Sequence, residues 1–439
     1  MPTYRDPLKP SNSYPVYKVQ TCSGQPLEVF TTSGESVYVQ PATTAGDAFG
    51  RSRVVEPYTI FDSQHRYQQN SKWATTTGVS GTTSYQVNES AVHLTTTTGS
   101  GDYIYRETKR VFPYQPGKSF LSMSSFVFAS GKSNLRQRVG LFSSGNGIFF
   151  EQSGTTNNIV LRSSVNGTVV ETRIPQSSWN YDQFNGSGVT ERTLDPTKAN
   201  IFWIDIEWLG VGDVRTGFVV DGRPEIAHIF HGDNINDTTY MTTAILPLRQ
   251  EIENVGATAS NSTAKQICGT VISEGGYDPR GLGGTIGHPV NAKYDLTATG
   301  VLYPISAIRL KSTRPDAAVV LAGISLVGAT NNAFYNWQLV AGGTSSGGTW
   351  TSAGSTSSVE YNITATGFVL GAGRVITEGY AVGSNQGSTV IDLPRTDLLK
   401  YQLERNSFTG TQDELTLLVA SDTAGADVIA AINWEEITE

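Results

Sequence analysis

The chain alternates apolar and polar residues over short runs, and turn residues close most of these runs. Residues 137–142 and 148–152 form one pair of runs around the polar segment 143–147. Successive side chains of a strand lie on opposite faces, so each alternating run predicts a half-buried β-strand. Consecutive runs of this length predict a meander of antiparallel strands.

Two dipeptides predict tight turns between further strands. Asn166-Gly167 lies in the loop between runs 159–162 and 168–173, and Asp221-Gly222 separates runs 214–220 and 225–230. Both dipeptides tolerate the positive φ values of a short hairpin turn. Because two packed sheets bury one face of each, so many strands predict an all-β fold with an antiparallel, jelly-roll-like β-sandwich body.

Three regions differ in composition and in their pattern of β runs. Residues 1–50 are predicted to form an extended N-terminal arm, because the prolines in the first part of this segment fix φ and remove backbone donors. Residues 51–310 predict the β-sandwich body. Residues 311–439, in which Ala-, Gly- and Ser-rich stretches separate short β runs, predict a second, small β-rich C-terminal unit.

Two local questions stay open at this stage. The arm is either a loosely packed terminus or an attachment element that becomes ordered on a partner. Residues 397–403 form either a short helix capped by Thr396 or a strand over 399–403. No internal repeat of fixed period is visible, which argues against a propeller or a β-helix.

Composition narrows the class of protein and of partner. Of the 439 residues 38% are hydrophobic and only 16% are charged, whereas soluble domains average roughly 25% charged residues. Long solvated helices need charged outer faces, and disorder usually accompanies few aromatics and high net charge, so we expect neither. A net charge of -8 without a Lys/Arg run predicts no nucleic-acid partner.

The sequence also predicts no membrane partner. The longest apolar stretch, residues 317–329, is short for a membrane span and contains two glycines and a serine, and the N-terminus lacks the apolar core of a signal peptide. Cys22 and Cys268 lie far apart in sequence. We expect free thiols of a protein made in a reducing cytoplasm, with a disulfide as the alternative.

One predicted strand carries two carboxylates. Along residues 201–209, Trp203, Asp205 and Glu207 share one face of the strand. This resembles the Glu-x-Asp-x-Glu strand of laminarinase-type glycoside hydrolases, but Trp203 occupies the first Glu position and removes one of the required carboxyl groups. The simpler interpretation is a sandwich strand whose polar face is exposed or ion-paired, with Arg215 as a candidate partner.

A polar segment at residues 228–237 offers potential metal ligands. Asp233, Asn234 and Asp237 are oxygen ligands of the type that calcium prefers, but the spacing does not match an EF-hand loop. His228 and His231 fall on opposite faces of a strand, and zinc needs a third ligand that the sequence does not nominate. The simpler interpretation is a polar turn after a strand.

No complete catalytic or cofactor motif is present. The chain has no Gly-x-Ser-x-Gly elbow, no P-loop and no dinucleotide fingerprint. We therefore expect no catalytic, cofactor-binding or metal-binding residues and no enzymatic activity. Exposed aromatics could still bind sugars, and the candidates are Trp73, Trp179, Tyr181 and Trp350, although tryptophans more often lie in the core.

A set of stretches between about residues 46 and 310 shares a pattern of turns and strand faces. They are GDAFGR (46–51), residues 55–67, WNYD (179–182), residues 193–198, IDIEWLGVG (204–212), residues 215–218, residues 240–243 and ICGTVISEGGY (267–277). In this pattern the chain resembles virion structural proteins of tailed bacteriophages, particularly cyanophages and related marine phages.

This resemblance implies a virion component without enzymatic activity, such as a head fibre, a capsid decoration protein or part of a tail fibre. Its partners would be other virion proteins of the capsid or tail, with residues 1–50 as the attachment element. We expect a homo-oligomer, for which a trimer is the usual fibre state, and location in the virion after synthesis in the host cytoplasm. The alternative is a tail appendage that binds a host-surface glycan, and the least favoured is a glycan-degrading enzyme.

Overall fold

A computed structural model describes residues 57–278, 281–383, 389–392 and 401–437. The predicted arm, Cys22 and most of the segment 397–403 lie outside the described residues. Cys268 is a free, exposed thiol. Among the described residues there is no α-helix, one 3-10 helix is present at Gln176–Ser178, and no helix is long and apolar enough to cross a bilayer.

The first group of strands runs from Tyr58 to Glu274. These strands are β1 (Tyr58–Ser63), β2 (Trp73–Gly78), β3 (Thr82–Gln86), β4 (Ala91–Thr96), β5 (Tyr103–Thr108), β6 (Ser119–Val127), β7 (Leu135–Phe142), β8 (Gly147–Ser153), β9 (Thr156–Ser163), β10 (Val170–Pro175), β11 (Asn200–Ile206), β12 (Val214–Val220), β13 (Arg223–Phe230), β14 (Leu248–Asn254) and β15 (Ser262–Glu274).

The second group runs from Leu282 to Glu436. These strands are β16 (Leu282–Gly287), β17 (Tyr294–Leu296), β18 (Tyr303–Leu310), β19 (Val319–Gly328), β20 (Phe334–Ala341), β21 (Thr344–Ser346), β22 (Thr351–Ser352), β23 (Val359–Asn362), β24 (Gly367–Val369), β25 (Arg374–Val382), β26 (Thr389–Asp392), β27 (Arg405–Asn406), β28 (Thr411–Gln412), β29 (Leu415–Ser421) and β30 (Ala426–Glu436).

The first group forms a sandwich of two antiparallel sheets. Within the described residues, sheet A has eight strands in the order β13-β12-β11-β6-β15-β4-β3, with β1 beside β15, and sheet B has seven in the order β10-β9-β8-β7-β14-β5-β2. The inner faces meet where Phe150 of β8 packs edge-on against Phe218 of β12, with ring centroids 5.2 Å apart. Removing this apolar surface from water is the main force that holds the two sheets together.

The second group forms another sandwich with its own core. In the same described part of the chain, sheet C has the order β16-β30-β19-β26, with β17 beside β30, and sheet D has the order β22-β23-β18-β29-β20-β25. Trp434 of sheet C and Leu339 and Trp337 of sheet D are buried in this core. The predicted all-β fold of antiparallel sandwich type is therefore confirmed.

The predicted hairpins are present. β12 and β13 are joined by Asp221-Gly222, and both residues have positive φ, at 49° and 78°. The hairpin around Asn166-Gly167 also forms, although its second strand begins at Val170 and not at Thr168. Local sequence was sufficient to predict these hairpins, because the turn residues themselves determine which backbone angles are low in energy.

The strand pairing places the change of sandwich earlier than the predicted boundary at residue 310. β16 and β17 pair with β30, and β18 pairs with β29, so residues 282–310 belong to the sheets of the second sandwich. No local pattern indicates this boundary, because these strands have the same alternation as those of the body and pair with strands far along the chain.

Candidate functional site

The carboxylate-bearing strand is a buried structural element. Trp203 on β11 packs with Leu121 and Ile226 on the face of sheet A that points away from the main core. Asp205 is buried, forms an ion pair of 2.5 Å with Arg215, and accepts a hydrogen bond from Ser119 at 2.5 Å. The ion-paired interpretation is confirmed for Asp205. Glu207 is also buried and follows the end of the strand.

The segment after β13 is an exposed turn. Burial, helped by the charge of His231, lowers the pKa of His228 to about 4, and His228 Nδ1 accepts the N–H of Asn180 at 3.3 Å. His231 is paired with Asp213 at 2.9 Å. Asp233, Asn234 and Asp237 are exposed, and among the described residues no group of three or more His, Cys, Asp or Glu is placed to hold a metal ion.

The four proposed sugar platforms separate into core and surface residues. Trp73 and Trp179 are buried, and their indole N–H groups donate to Ser63 at 2.8 Å and to the carbonyl of Ile174 at 3.1 Å. Trp350 lies beneath the guanidinium of Arg309, 3.9 Å from the ring centroid. Tyr181 is 42% exposed. These four side chains lie on different elements and do not form one surface.

The outer face of sheet B carries a charge ladder that the sequence analysis missed. The ladder consists of the side chains of Glu107, Arg138, Glu151, Arg162, Glu171, Arg173, Arg249 and Glu251. Its members lie on β5, β14, β7, β8, β9 and β10, and acidic and basic residues face each other across neighbouring strands. The ladder runs across most of the sheet, and most of its side chains are buried.

Arg138 is the centre of the ladder. Its guanidinium lies 2.8 Å from Glu151, 3.2 Å from Glu251 and 3.4 Å from Glu171. Burial alone would lower the pKa of Arg138, but the three negative charges raise it above its usual range. Burial likewise opposes ionisation of Glu171, yet Arg138 and Arg162 hold its pKa below the usual value. Such mutual dependence makes loss of any one member costly.

The ladder ends at the junction between the two sandwiches. Glu107 contacts Arg249 of the same sandwich at 2.7 Å and Arg405 of the second sandwich at 3.0 Å. Arg405 also donates to the carbonyls of Thr108 and Pro315, at 3.0 and 2.8 Å. The guanidinium therefore joins both sandwiches through one buried side chain.

Three further contacts hold the same junction. Arg110 pairs with Glu404 at 2.5 Å, Lys109 pairs with Asp413 at 3.0 Å, and the backbone N–H of Arg405 donates to the carbonyl of Lys109 at 3.0 Å. The segment after β5 is thus fastened along its length to the segment around β27. Several short polar contacts of this kind restrict rotation of one sandwich against the other.

Beside this junction lies a cleft of about 620 Å³. Tyr103, Tyr105 and Ser144 line it from the first sandwich, and Asn406, Ser407 and Phe408 line it from the second. The Tyr103 and Tyr105 rings are stacked, with centroids 4.6 Å apart and an interplanar angle of 26°. We refer to this space as the junction cleft.

Only the tyrosine pair of the junction cleft could be predicted from the sequence. Tyr103 and Tyr105 are two residues apart on one strand, so their alternation predicts a shared face. Phe408 comes from the β27–β28 turn, far along the chain, and reaches the cleft only because the second sandwich docks there. No local pattern connects the two segments.

No protein-family model and no curated protein matches this chain. Solved structures resemble it at low identity. The CBM2 module of Lactobacillus casei BL23 phage J-1 evolved Dit is 8% identical, covers 51% of this chain and 98% of its own, and has a TM-score of 0.34. A lectin from Bauhinia forficata in complex with GalNAc is 11% identical, covers 49% of this chain and 99% of its own, and has a TM-score of 0.29. A Bacteroides ovatus GH16 protein in complex with a glucan product is 10% identical, covers 48% of this chain and 99% of its own, and has a TM-score of 0.33.

Proposed function

We propose that this protein is an exposed structural component of a tailed-phage virion, of the fibre or decoration type, attached through residues 1–50. The observation that carries the structural part of the proposal is the junction in which Arg405 connects both sandwiches through Glu107 and two backbone carbonyls. Two sandwiches fastened in this way form a stiff body suited to load and exposure. The phage assignment is supported by the resemblance of residues 46–310.

The state of the carboxylates supports a role without catalysis. A glycosidase needs one carboxyl group free to protonate the leaving oxygen and a second free to attack or to activate water. In the junction cleft, one oxygen of Glu107 accepts from Arg405 and the other accepts from Arg249. On β11, Asp205 is engaged by Arg215 and Ser119. These carboxylates serve the packing of the sheets.

Deleting residues 1–50 tests the proposal. In phage particles assembled with the truncated chain, we expect the protein to be absent, while the purified truncated protein keeps a cooperative thermal transition because both cores lie beyond residue 57. The matched control is full-length Arg192→Met, which removes an exposed ion pair with Asp221 and should be incorporated normally. Incorporation of the truncated chain at the normal level would overturn attachment through the arm.

A further inference from the structure

We infer that the junction cleft binds a short neutral oligosaccharide, with the ring of Tyr103 as its stacking platform. This goes beyond the structural role and does not depend on it, because it rests on the cleft alone. The cleft lies within the range of about 300–1,000 Å³ that is typical of small-ligand sites. Its lining combines aromatic rings with hydroxyl and amide groups.

The stacked tyrosines provide a fixed aromatic surface. The Tyr105 hydroxyl donates to Glu253 at 2.6 Å, and the Arg249 guanidinium lies 5.3 Å from the Tyr105 ring centroid, so this ring is held on the sheet. Both rings are half-buried, and Tyr103 stacks on Tyr105, which also has Arg249 as a neighbour of its ring. The electron-rich face of an aromatic ring attracts the slightly positive C–H groups of a sugar ring. Tyr103 is therefore the platform that a pyranose ring can reach.

Phe408 adds a third aromatic ring to the lining of the cleft. Its ring centroid lies 5.2 Å from the guanidinium carbon of Arg249, which is also within 5.6 Å of the Phe142 centroid. Arg249 thus connects the tyrosine side of the cleft to the ring contributed by the second sandwich. The cleft is complete only when the two sandwiches are docked.

Amide groups at the rim have hydrogen-bonding capacity to spare. Asn406 uses its amide oxygen to accept the N–H of Phe408 at 3.1 Å, so its amide nitrogen is left to donate. Gln412 donates its amide nitrogen to the carbonyl of Gly410 at 2.8 Å, so its amide oxygen is left to accept. The exposed hydroxyls of Ser144 and Ser407 can do both. Sugar hydroxyls, which also donate and accept, fit such a rim.

The charges favour a neutral ligand over an anionic one. Arg249 is neutralised by Glu107 at 2.7 Å and by Glu251 at 2.6 Å, and Arg405 shares Glu107. An acidic sugar would have to compete with these buried glutamates for the same guanidinium groups. Asp316, which is exposed at the edge of the cleft, adds a further negative charge.

Saturation-transfer NMR with a panel of neutral trisaccharides tests the inference on the full-length protein. The panel comprises maltotriose, cellotriose, laminaritriose, mannotriose and chitotriose. We expect at least one to bind saturably, with a Kd on the order of 1 mM, as is usual for a small polar ligand in a partly open site. Tyr103→Ala should weaken this binding by about tenfold, since one stacking contact is lost.

Two further variants separate binding in the junction cleft from binding elsewhere. Ser144→Trp fills the cleft from an exposed position without touching either core, and it should abolish binding. Tyr380→Ala, which removes an exposed tyrosine outside the cleft lining, is the matched control and should bind as the unaltered protein does. Absence of saturable binding by every trisaccharide, or binding that Tyr103→Ala and Ser144→Trp leave unchanged, would overturn the inference. Neither result bears on the proposed role in the virion, because the assay measures sugar binding by the purified protein and uses no phage particles.

Discussion

Arg405 of the second sandwich donates from Nη2 to Glu107 of the first across 3.0 Å, and both side chains are buried. Burial removes both charges from water, so the contact is favourable only while the partners and the carbonyls of Thr108 and Pro315 stay in place. The relationship makes the docking of the two sandwiches dependent on one guanidinium. It also links the docking to the charge ladder through Arg249.

Replacing Arg405 with methionine should therefore destabilise the docked state. Because the substitution leaves two carbonyls and one side of Glu107 without their donor, we expect the free energy of unfolding to fall by about 3 kcal/mol. Calorimetry should show the two sandwiches unfolding in better separated transitions. Arg192→Met is the control, and loss of its exposed pair should cost under about 0.5 kcal/mol. Equal stability of the two variants would contradict a structural role for the Arg405 contact.

Arg138 should be the most sensitive member of the charge ladder. Arg138→Met leaves three glutamates without their shared partner, and we expect a loss of about 3–5 kcal/mol in urea unfolding. Arg138→Lys keeps the charge but cannot reach the three carboxylates in the planar arrangement of a guanidinium, so its loss should be intermediate. If the lysine and methionine variants were equally stable, geometry would not matter in the ladder.

His65 should make stability depend on pH. Burial, with a contribution from the nearby charge of Arg106, lowers the pKa of His65 from 6.5 to about 4. Between these two values the unfolded chain binds a proton that the folded chain does not, so this contribution to stability is complete above pH 6.5 and decreases as the pH falls towards 4.

The variant His65→Asn isolates this contribution. Asparagine can still accept the N–H of Asn70, which His65 Nδ1 accepts at 3.0 Å, but it does not titrate. In urea unfolding at a series of pH values, we expect the stability of the variant to fall less steeply than that of the unaltered protein between pH 6.5 and about 4. Parallel curves over this interval would show that His65 does not titrate as described.

Amide replacements at Asp205 and Glu207 should affect stability and not hydrolysis. Asp205→Asn weakens a buried ion pair with Arg215, and we expect a loss of about 2 kcal/mol or more. Reducing-sugar assays on β-glucans should show no release of sugar by the unaltered protein or by the double variant Asp205→Asn, Glu207→Gln. Release by the unaltered protein that disappears in the double variant would establish the glycanase hypothesis instead.

Features that depend only on residues close together in sequence could be predicted from the sequence. Asp221-Gly222 predicted a hairpin because few residues accept its backbone angles, and the alternation along residues 201–209 correctly placed Asp205 on the face away from the main core. The ion pair between Asp205 and Arg215 could also be predicted, because β11 and β12 are consecutive antiparallel strands. In each case the partner lies within one hairpin.

Features that depend on distant pairing were not predictable in this way. Arg405 and Glu107 meet only because the second sandwich docks on the first, and nothing near either residue in sequence indicates the other. The charge ladder was missed for a related reason. Its glutamates and arginines are scattered along the chain and become a network only through the registers of sheet B, where β14 pairs with β5 and β7.

A cryo-electron microscopy reconstruction of the phage particle whose genome encodes this chain tests the central claim most directly. We predict external density that fits both sandwiches as one body, joined at Arg405 and Glu107, with residues 1–50 in contact with a neighbouring capsid or tail protein. Particles that contain no copy of this chain, by density and by mass spectrometry of their proteins, would contradict the proposed function.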